Sequence, residues 1–405
     1  MPVSRRTYVR RRITVFGGLG IVLATAFYLP MTLLAPLPEA QADAITASAP
    51  ENPAVELDWP GYGASAVGAV GFPEVFATGG SQKPRTIASI TKVITSLVVL
   101  AKKPIADGTD GPTLTMTSAD AALYGSYLAR NGEVKPVRAG LKLSERQVLQ
   151  VVLIASANNY AESLSTWAFG SQRAFLAAAA DWLAKKGLTS TTLQDSSGMN
   201  PGNKSTTRDL IELAKLALAD PVVSTIVSTR SVTLPYIGTV ANTNALLGNG
   251  GINGIKTGTL PEAGACLLFS STIQVGEHSV TLVGVILGGT DHPSLDVAVR
   301  RLLSSAKAGF RELPLVTAGE PFYSYSTPWE QSARAVATRD GSVLAWAGTK
   351  VTVRSTSEAV RDGAVGQSVG SVTYTVGTSI VTVPLALDDV LGDPGPWWRL
   401  THPFG

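Results

Sequence analysis

The rhythm of hydrophobic and polar positions changes several times along this 405-residue chain. An uncharged, mostly apolar stretch runs from Ile13 to Pro38. Farther on, "GASAVGAVG" and "EVFATGG" predict two short strands joined by a turn at "FP". A helix is expected from near Ala88 to Lys102, followed by a mixed, Gly- and Pro-punctuated region to about residue 142. "SERQVLQVVLIA" has a broad apolar face and Ser144 as its N-cap candidate. "NNYAESLSTWAFG" and "SQRAFLAAAADWLAKKGL" predict two more helices, each closing near a glycine, and "TTRDLIELAKLALAD" a further one. From residue 252 the period shortens. "GINGIKTGT", "GACLLFSSTIQVG" and "HSVTLVGVILGG" predict three strands, with a hairpin across Val275 to His278, and "SLDVAVRRLLSSAKAGF" predicts a closing helix. Strands at both ends of a helical block predict an α+β domain in which one antiparallel sheet unites the two ends. After Leu313, "KVTVRS", "SVTYTVG" and "SIVTVPLAL" alternate and are separated by Gly-rich turns, which predicts a small all-β domain. The expected layout is a leader at 1–42, a linker rich in Ala, Pro and acids at 43–58, an α+β domain at 59–312 and a β-rich domain at 313–405.

Charge sharpens the reading of the N-terminus. Residues 1–42 carry Arg5, Arg6, Arg10, Arg11 and Arg12 but only one acid, Glu39. The net charge of +3 therefore comes from the leader, and the body is close to neutral, which gives no ground for nucleic-acid binding. Basic residues, an apolar run and small residues at Ala40 and Ala42 describe an export signal. The run is also long enough to cross a bilayer, which takes about 20 residues. Cleavage and retention as an anchor both stay open. The arginines ahead of the span place the N-terminus in the cytoplasm and the body outside it. "SRRTYVR" resembles a twin-arginine signal, a weak match in any basic leader. With one cysteine, Cys266, there is no internal disulfide and no Cys-based zinc site. His278, His292 and His402 form no metal-ligand spacing and are taken as structural or surface residues. No metal and no cofactor is expected.

Candidate chemistry starts at "SITK". Ser89 and Lys92 are three apart on an expected helix and share a face. A serine hydroxyl is a poor nucleophile until a base removes its proton. Without a suitably placed histidine, a neutral lysine can serve. Its pKa then has to fall through burial or a nearby cation, so a second cation should point at the same spot. Two further segments qualify: "SAN", Ser156 to Asn158, at a break between helices, and "KTG", Lys256-Thr257-Gly258, on an expected strand. Singly, each has an ordinary explanation as a surface lysine, a helix cap or a strand end.

Together and in this order the three segments resemble the signature set of penicillin-interacting serine enzymes. The 67-residue and 100-residue spacings between Ser89, Ser156 and Lys256 are similar to those of the low-molecular-mass D-alanyl-D-alanine carboxypeptidases. "RTIASITKVIT" and "SSGMNPGNKSTTRDLIELAKLAL" also resemble segments of that family, and the likeness covers roughly residues 60–312. It implies a β-lactamase/transpeptidase-like fold followed by a small β domain. It also implies an envelope hydrolase acting in cell-wall peptidoglycan metabolism and cell shape. The implied substrate is a peptidoglycan stem peptide ending in D-Ala-D-Ala, with β-lactams as covalent inhibitors. In that frame Ser89 is the nucleophile, Lys92 its base, and Ser156 the proton relay, helped by Lys256. Asn158 would bind the substrate backbone, and Thr257, Gly258 and Thr259 would lie on the substrate-binding strand, the two threonines holding the terminal carboxylate. The N–H groups of Ser89 and Thr259 would form the oxyanion hole.

Two alternatives share these motifs. A class A-like β-lactamase adds a glutamate that activates the deacylating water. The corresponding region, "TLQDSSGMNPGN", offers only Asp195, and Glu162 is expected on a helix. A non-catalytic envelope-binding scaffold would have no need of Ser89, Lys92, Ser156 and Lys256 together. "GQSVG" at 366–370 matches the esterase elbow pattern, but β-type sequence on both sides marks it as a hairpin turn. Trp397 and Trp398 are expected to pack against the β domain.

Overall fold

The computed structural model describes residues 5–403; the first four residues of the basic leader and the last two of the tail lie outside the described residues. The chain divides into two compact units. The larger comprises residues 53–311 and 346–349, and the smaller comprises 1–52, 312–345 and 350–405.

In the smaller unit the chain begins with helix α1 (Arg5–Leu33) and strand β1 (Gln41–Ala44). The larger unit follows with β2 (Ala64–Ala69) and β3 (Phe72–Gly80). Their turn falls on Val70-Gly71, two residues before the expected "FP", because Gly71 adopts the positive φ of +83° that a tight hairpin needs. The helical block contains α2 (Thr91–Lys102), α3 (Ser118–Leu128), α4 (Glu145–Leu153), α5 (Asn158–Phe169), α6 (Gln172–Lys185), α7 (Thr207–Ala219) and α8 (Pro221–Val227). Side-chain caps set most of the starts: Thr117 and Asp120 form a capping box on α3, and Ser144 and Gln147 do so on α4. Asp220 caps α8, a short helix beyond the end of the one expected over "TTRDLIELAKLALAD".

Strands β4 (Ile252–Leu260), β5 (Gly264–Val275) and β6 (His278–Gly289) complete an antiparallel sheet of order β4-β5-β6-β2-β3, followed by α9 (His292–Ala308). The two ends of the unit thus meet where β6 pairs with β2. Alternation along β6 sends Val283, Val285 and Leu287 into the core shared with the helical block. α2 runs through that core and buries ten of its twelve residues.

The smaller unit holds β7 (Pro321–Ser326), β8 (Ser332–Ala337), β9 (Val351–Ser357), β10 (Ser368–Val376) and β11 (Ser379–Leu387), and ends in α10 (Pro396–Thr401). Its six-stranded sheet runs β1-β7-β8-β11-β10-β9 over a core that includes Phe322, Tyr325, Val372 and Leu385. Residues 41–44, expected to be split between leader and linker, are the edge strand of this sheet. An edge strand pairs on one side only, so "QADA" needs no hydrophobic alternation and gives no strand signal. Ser368 of "GQSVG" opens β10, with strand and not helix after it. Trp398 meets Trp329 edge-on, as packing would require, but Trp397 is 78% exposed, contrary to expectation. α1 is long and apolar enough to cross a membrane, and its most apolar window is wholly unburied.

One buried group is left unsatisfied by this packing. The Glu145 carboxyl at the start of α4 is buried, and neither oxygen has a hydrogen-bond partner among the described residues. Burial raises its pKa to about 7, with Lys103 opposing. A raised carboxyl pKa contributes stability that is fully present below the unfolded value and lost as pH rises through about 7. Glu145→Gln should therefore gain on the order of 1–2 kcal/mol over the native chain at pH 8 and nothing at pH 4. Urea unfolding at the two pH values measures the difference.

Candidate active site

Ser89 lies on a single 3₁₀ turn, Ala88–Ile90, immediately before α2. Ala88 has a φ of +45°, unusual for a residue with a side chain, and it turns the chain sharply into the helix. The expected helix start near Ala88 is therefore this turn. Lys92 follows inside α2, fully buried, with its Nζ 2.8 Å from Ser89 Oγ. The same nitrogen lies 3.2 Å from Asn158 Oδ1 and 2.5 Å from the Ser197 carbonyl oxygen.

Ser156 sits between α4 and α5 with a φ of +58°, and Asn158 opens α5. The start of α5 also straps down the loop at 133–136. The Asn158 N–H donates to the Glu133 carbonyl at 2.7 Å, Asn159 Nδ2 to the Lys135 carbonyl at 2.9 Å, and the Tyr160 hydroxyl to the Pro136 carbonyl at 2.7 Å. Lys256, Thr257, Gly258 and Thr259 lie in sequence on β4. Lys256 is buried, with Nζ 3.3 Å from Thr243 Oγ1 and 3.2 Å from the Thr257 carbonyl. Among the described residues, no hydrogen bond joins the Ser156 hydroxyl to either lysine.

Two glycines let these elements approach. A Cβ on Gly258 would come within 3.2 Å of Ser89 N and 3.1 Å of the Ile87 carbonyl. Gly198, at a φ of +86°, faces the same turn from the other side, where a Cβ would stand 2.2 Å from the Ala88 oxygen. The loop carrying Gly198 is built on Asp195. Its carboxylate accepts from the N–H groups of Ser197, Gly198 and Asn200 and from Asn203 Nδ2, all within 3.0 Å. Asn203 and Ser196 then tie the loop to Thr91 and Thr95 of α2.

A cavity of about 610 Å³ opens over this assembly. Ser89, Ser156, Asn158, Thr257, Gly258 and Thr259 all line it, so the segments read from sequence share one space, with Lys92 and Lys256 buried beneath. Burial, first, and the charge of Lys256, second, hold Lys92 well below the ordinary lysine pKa; Asp195 and Glu133 oppose. Burial lowers Lys256 to about 7, again with Glu133 opposing. Lys92 loses its proton first, so an amine able to accept a proton stands beside a hydroxyl while a cation remains nearby.

The structure also brings in residues that the sequence reading passed over. His292, taken as structural or surface, lines the cavity, with Nε2 2.7 Å from Thr259 Oγ1. It lies 33 residues from Thr259, at the start of α9, and no local pattern marks that meeting. Arg130 and Glu133 line the rim from the loop before α4. Glu162 is on α5, where its carboxylate accepts the Tyr127 hydroxyl at 2.5 Å.

The profile of the D-alanyl-D-alanine carboxypeptidase family matches residues 73–290, more than half of the chain. The chain belongs to that family. It is 30% identical over 259 residues to D-alanyl-D-alanine carboxypeptidase DacC of Escherichia coli, an alignment covering 63% of this chain and 62% of that one. It is 31% identical over 195 residues to a D-alanyl-D-alanine endopeptidase of Pseudomonas aeruginosa, covering 46% of this chain and 60% of the relative. The chain thus spans less than two thirds of either relative. The crystal structure of the carboxypeptidase DacD from Francisella tularensis superposes with a TM-score of 0.58 over 86% of this chain and 98% of that one, at 18% identity, which bears on the fold alone. The α+β arrangement with its β-rich second part agrees with this neighbour, and the three segments singled out in the sequence meet around one cavity.

The two buried lysines make a thermodynamic prediction. A lysine whose folded pKa is lowered binds fewer protons than its unfolded counterpart between about 7 and 10.5, so stability rises with pH across that window. Lys256→Met should remove the Lys256 share of this dependence, leaving that of Lys92, and gain about 2 to 4 kcal/mol over the native chain at pH 7, with the two converging near pH 10. Denaturant midpoints at the two pH values test it.

Proposed function

We propose that this chain is a serine-type D-Ala-D-Ala carboxypeptidase of the cell envelope. It would remove the terminal D-alanine of peptidoglycan stem peptides through an acyl-enzyme on Ser89. The observation that carries the reading is the 2.8 Å approach of Ser89 Oγ to a buried lysine held well below its ordinary pKa. Family membership supports the substrate class.

In this reading each group around the cavity takes one role. Neutral Lys92 takes the Ser89 proton as Oγ attacks the carbonyl between the two D-alanines. The N–H groups of Ser89 and Thr259 hold the developing oxyanion. The proton passes through Ser156 to the departing amine as the peptide bond breaks and D-alanine leaves. Asn158 binds the substrate backbone. Thr257 and Thr259 receive the terminal carboxylate, with the cationic Lys256 close to them. Water then releases the acyl group. β-Lactams acylate the same serine. The Asp195 carboxylate is engaged by three loop N–H groups and by Asn203 Nδ2, which gives it a structural role in the loop and weighs against the β-lactamase reading.

Benzylpenicillin should leave a covalent adduct on the Ser89 peptide that persists for minutes, and a D-Ala-D-Ala peptide should release D-alanine. Ser89→Ala abolishes both, and Lys92→Ala slows acylation by about 10²- to 10⁴-fold with the fold intact. Absence of both adduct and D-alanine release would sink the enzyme reading, and rapid penicillin turnover would favour a β-lactamase.

The acylation rate should also be bell-shaped in pH. It rises as Lys92 loses its proton and falls above about pH 7 as Lys256 loses its own. Lys256→Arg, which stays charged, should remove the descending limb in a stopped-flow pH series.

A further inference from the structure

The sequence leaves open whether the leader is cut after Ala42 or kept, and the smaller unit bears directly on that choice. Ala42 lies in the middle of β1, where Gln41, Ala42, Asp43 and Ala44 pair with Ser326, Tyr325, Ser324 and Tyr323. Upstream the chain is already part of the domain. The Ala40 N–H donates to the Val360 carbonyl at 2.7 Å, Glu39 pairs with Arg361 at 3.0 Å, and Leu37 and Ala40 are buried. A cut after Ala42 would leave half an edge strand and strip away these contacts.

The tail helix α10 supplies a second, independent observation, because it grips the far end of α1. Arg399 donates to the Leu33 and Ala35 carbonyls at 3.3 and 2.6 Å, while Asp393 holds the guanidinium at 2.6 Å. The Tyr28 hydroxyl donates to the Leu400 carbonyl at 2.7 Å. The last carbonyls of a helix have no partners within it, and a cation there also suits the helix dipole. On the same short helix, Trp398 stacks on His402, while Trp397 stands exposed.

We propose that α1 stays attached and crosses the bilayer. Residues 34–44 and α10 would form a clasp in the lipid headgroup layer on the exported side, with Trp397 inserted there. The occupant of the exposed apolar surface of α1 is a phospholipid bilayer. Ile13, Phe16, Ile21, Val22 and Phe27 are all exposed along it. From Ile13 to Leu33 the helix is about 30 Å long, the thickness of a hydrocarbon core. The leader arginines lie at one end of that span, and tryptophan and arginine lie at the other, where both residue types favour the interface. An uncut leader makes this domain a membrane-surface module, independently of any chemistry at Ser89.

The test uses the full chain, expressed in a bacterial host and recovered from its membrane fraction. Peptide mass mapping should find the chain continuous across Ala42–Asp43; a mature N-terminus at Asp43 would overturn the proposal. The same protein is then placed in phosphatidylglycerol/phosphatidylcholine vesicles with brominated acyl chains. Trp397→Phe should reduce bromine quenching of tryptophan emission by about two-fold, whereas Trp167→Phe leaves it near the native level. Equal quenching in the native chain and Trp397→Phe would remove Trp397 from the headgroup layer and overturn the clasp.

Discussion

Two lysines buried under one cavity set the terms for everything around them. Each has given up hydration, and two dry cations a short distance apart cannot both keep their protons. Lys92 is the one that yields, because burial and Lys256 act on it in the same direction. Glu133 opposes the shift of both amines, and oxygens surround both: those of Ser89, Asn158 and Ser197 at Lys92, and those of Thr243 and Thr257 at Lys256. The asymmetry between otherwise identical side chains comes from the charge of Lys256, which adds to burial at Lys92. If the enclosure opened to water, both would revert to ordinary surface lysines and the site would lose its base.

Keeping the enclosure closed is largely a matter of backbone approach. The 3₁₀ turn with Ser89 is squeezed between Gly258 on β4 and Gly198 on the loop after α6. Gly198 has no room for a Cβ and also needs its left-handed φ, while a Cβ at Gly258 would crowd the turn at 3.1 to 3.2 Å. Asp195 gathers four donors to shape that loop, so a carboxylate near the nucleophile serves structure. Its neighbours Thr91, Thr95 and Asn203 anchor the loop to the same helix that carries Lys92. Nucleophile, base and cavity wall are therefore fixed to one another through α2.

Much of this was legible in the sequence because the chemistry is carried by short local patterns. Ser89 and Lys92 are one helical turn apart, Ser156 and Asn158 span a helix break, and Lys256 to Thr259 lie consecutively on a strand. The need for a second cation followed from asking how Lys92 could be neutral. What was missed depends on distant meetings or on weak signals. His292 reaches Thr259 only because β6 returns beside β5 and delivers the start of α9 to the end of β4. β1 is an edge strand of small and polar residues, α8 is two turns long, and α3 sits in a Gly- and Pro-punctuated stretch. Packing decides those elements, and local pattern does not.

The position of β4 in the sheet adds a last step. It is an edge strand, with β5 as its one strand neighbour among the described residues, and its other side faces the turn that carries Ser89. An unpaired strand edge is ordinarily a liability, since its free N–H and C=O groups invite another chain. Here that edge borders the cavity, and Thr257, Gly258 and Thr259 are lining residues. On the proposed function, an extended peptide would pair with β4 as an added strand and bring its scissile carbonyl toward Ser89. Gly258 is the pivot of that geometry. Its missing side chain brings the strand against the nucleophile's own N–H, so recognition by the strand and attack by the serine would meet within one residue's reach.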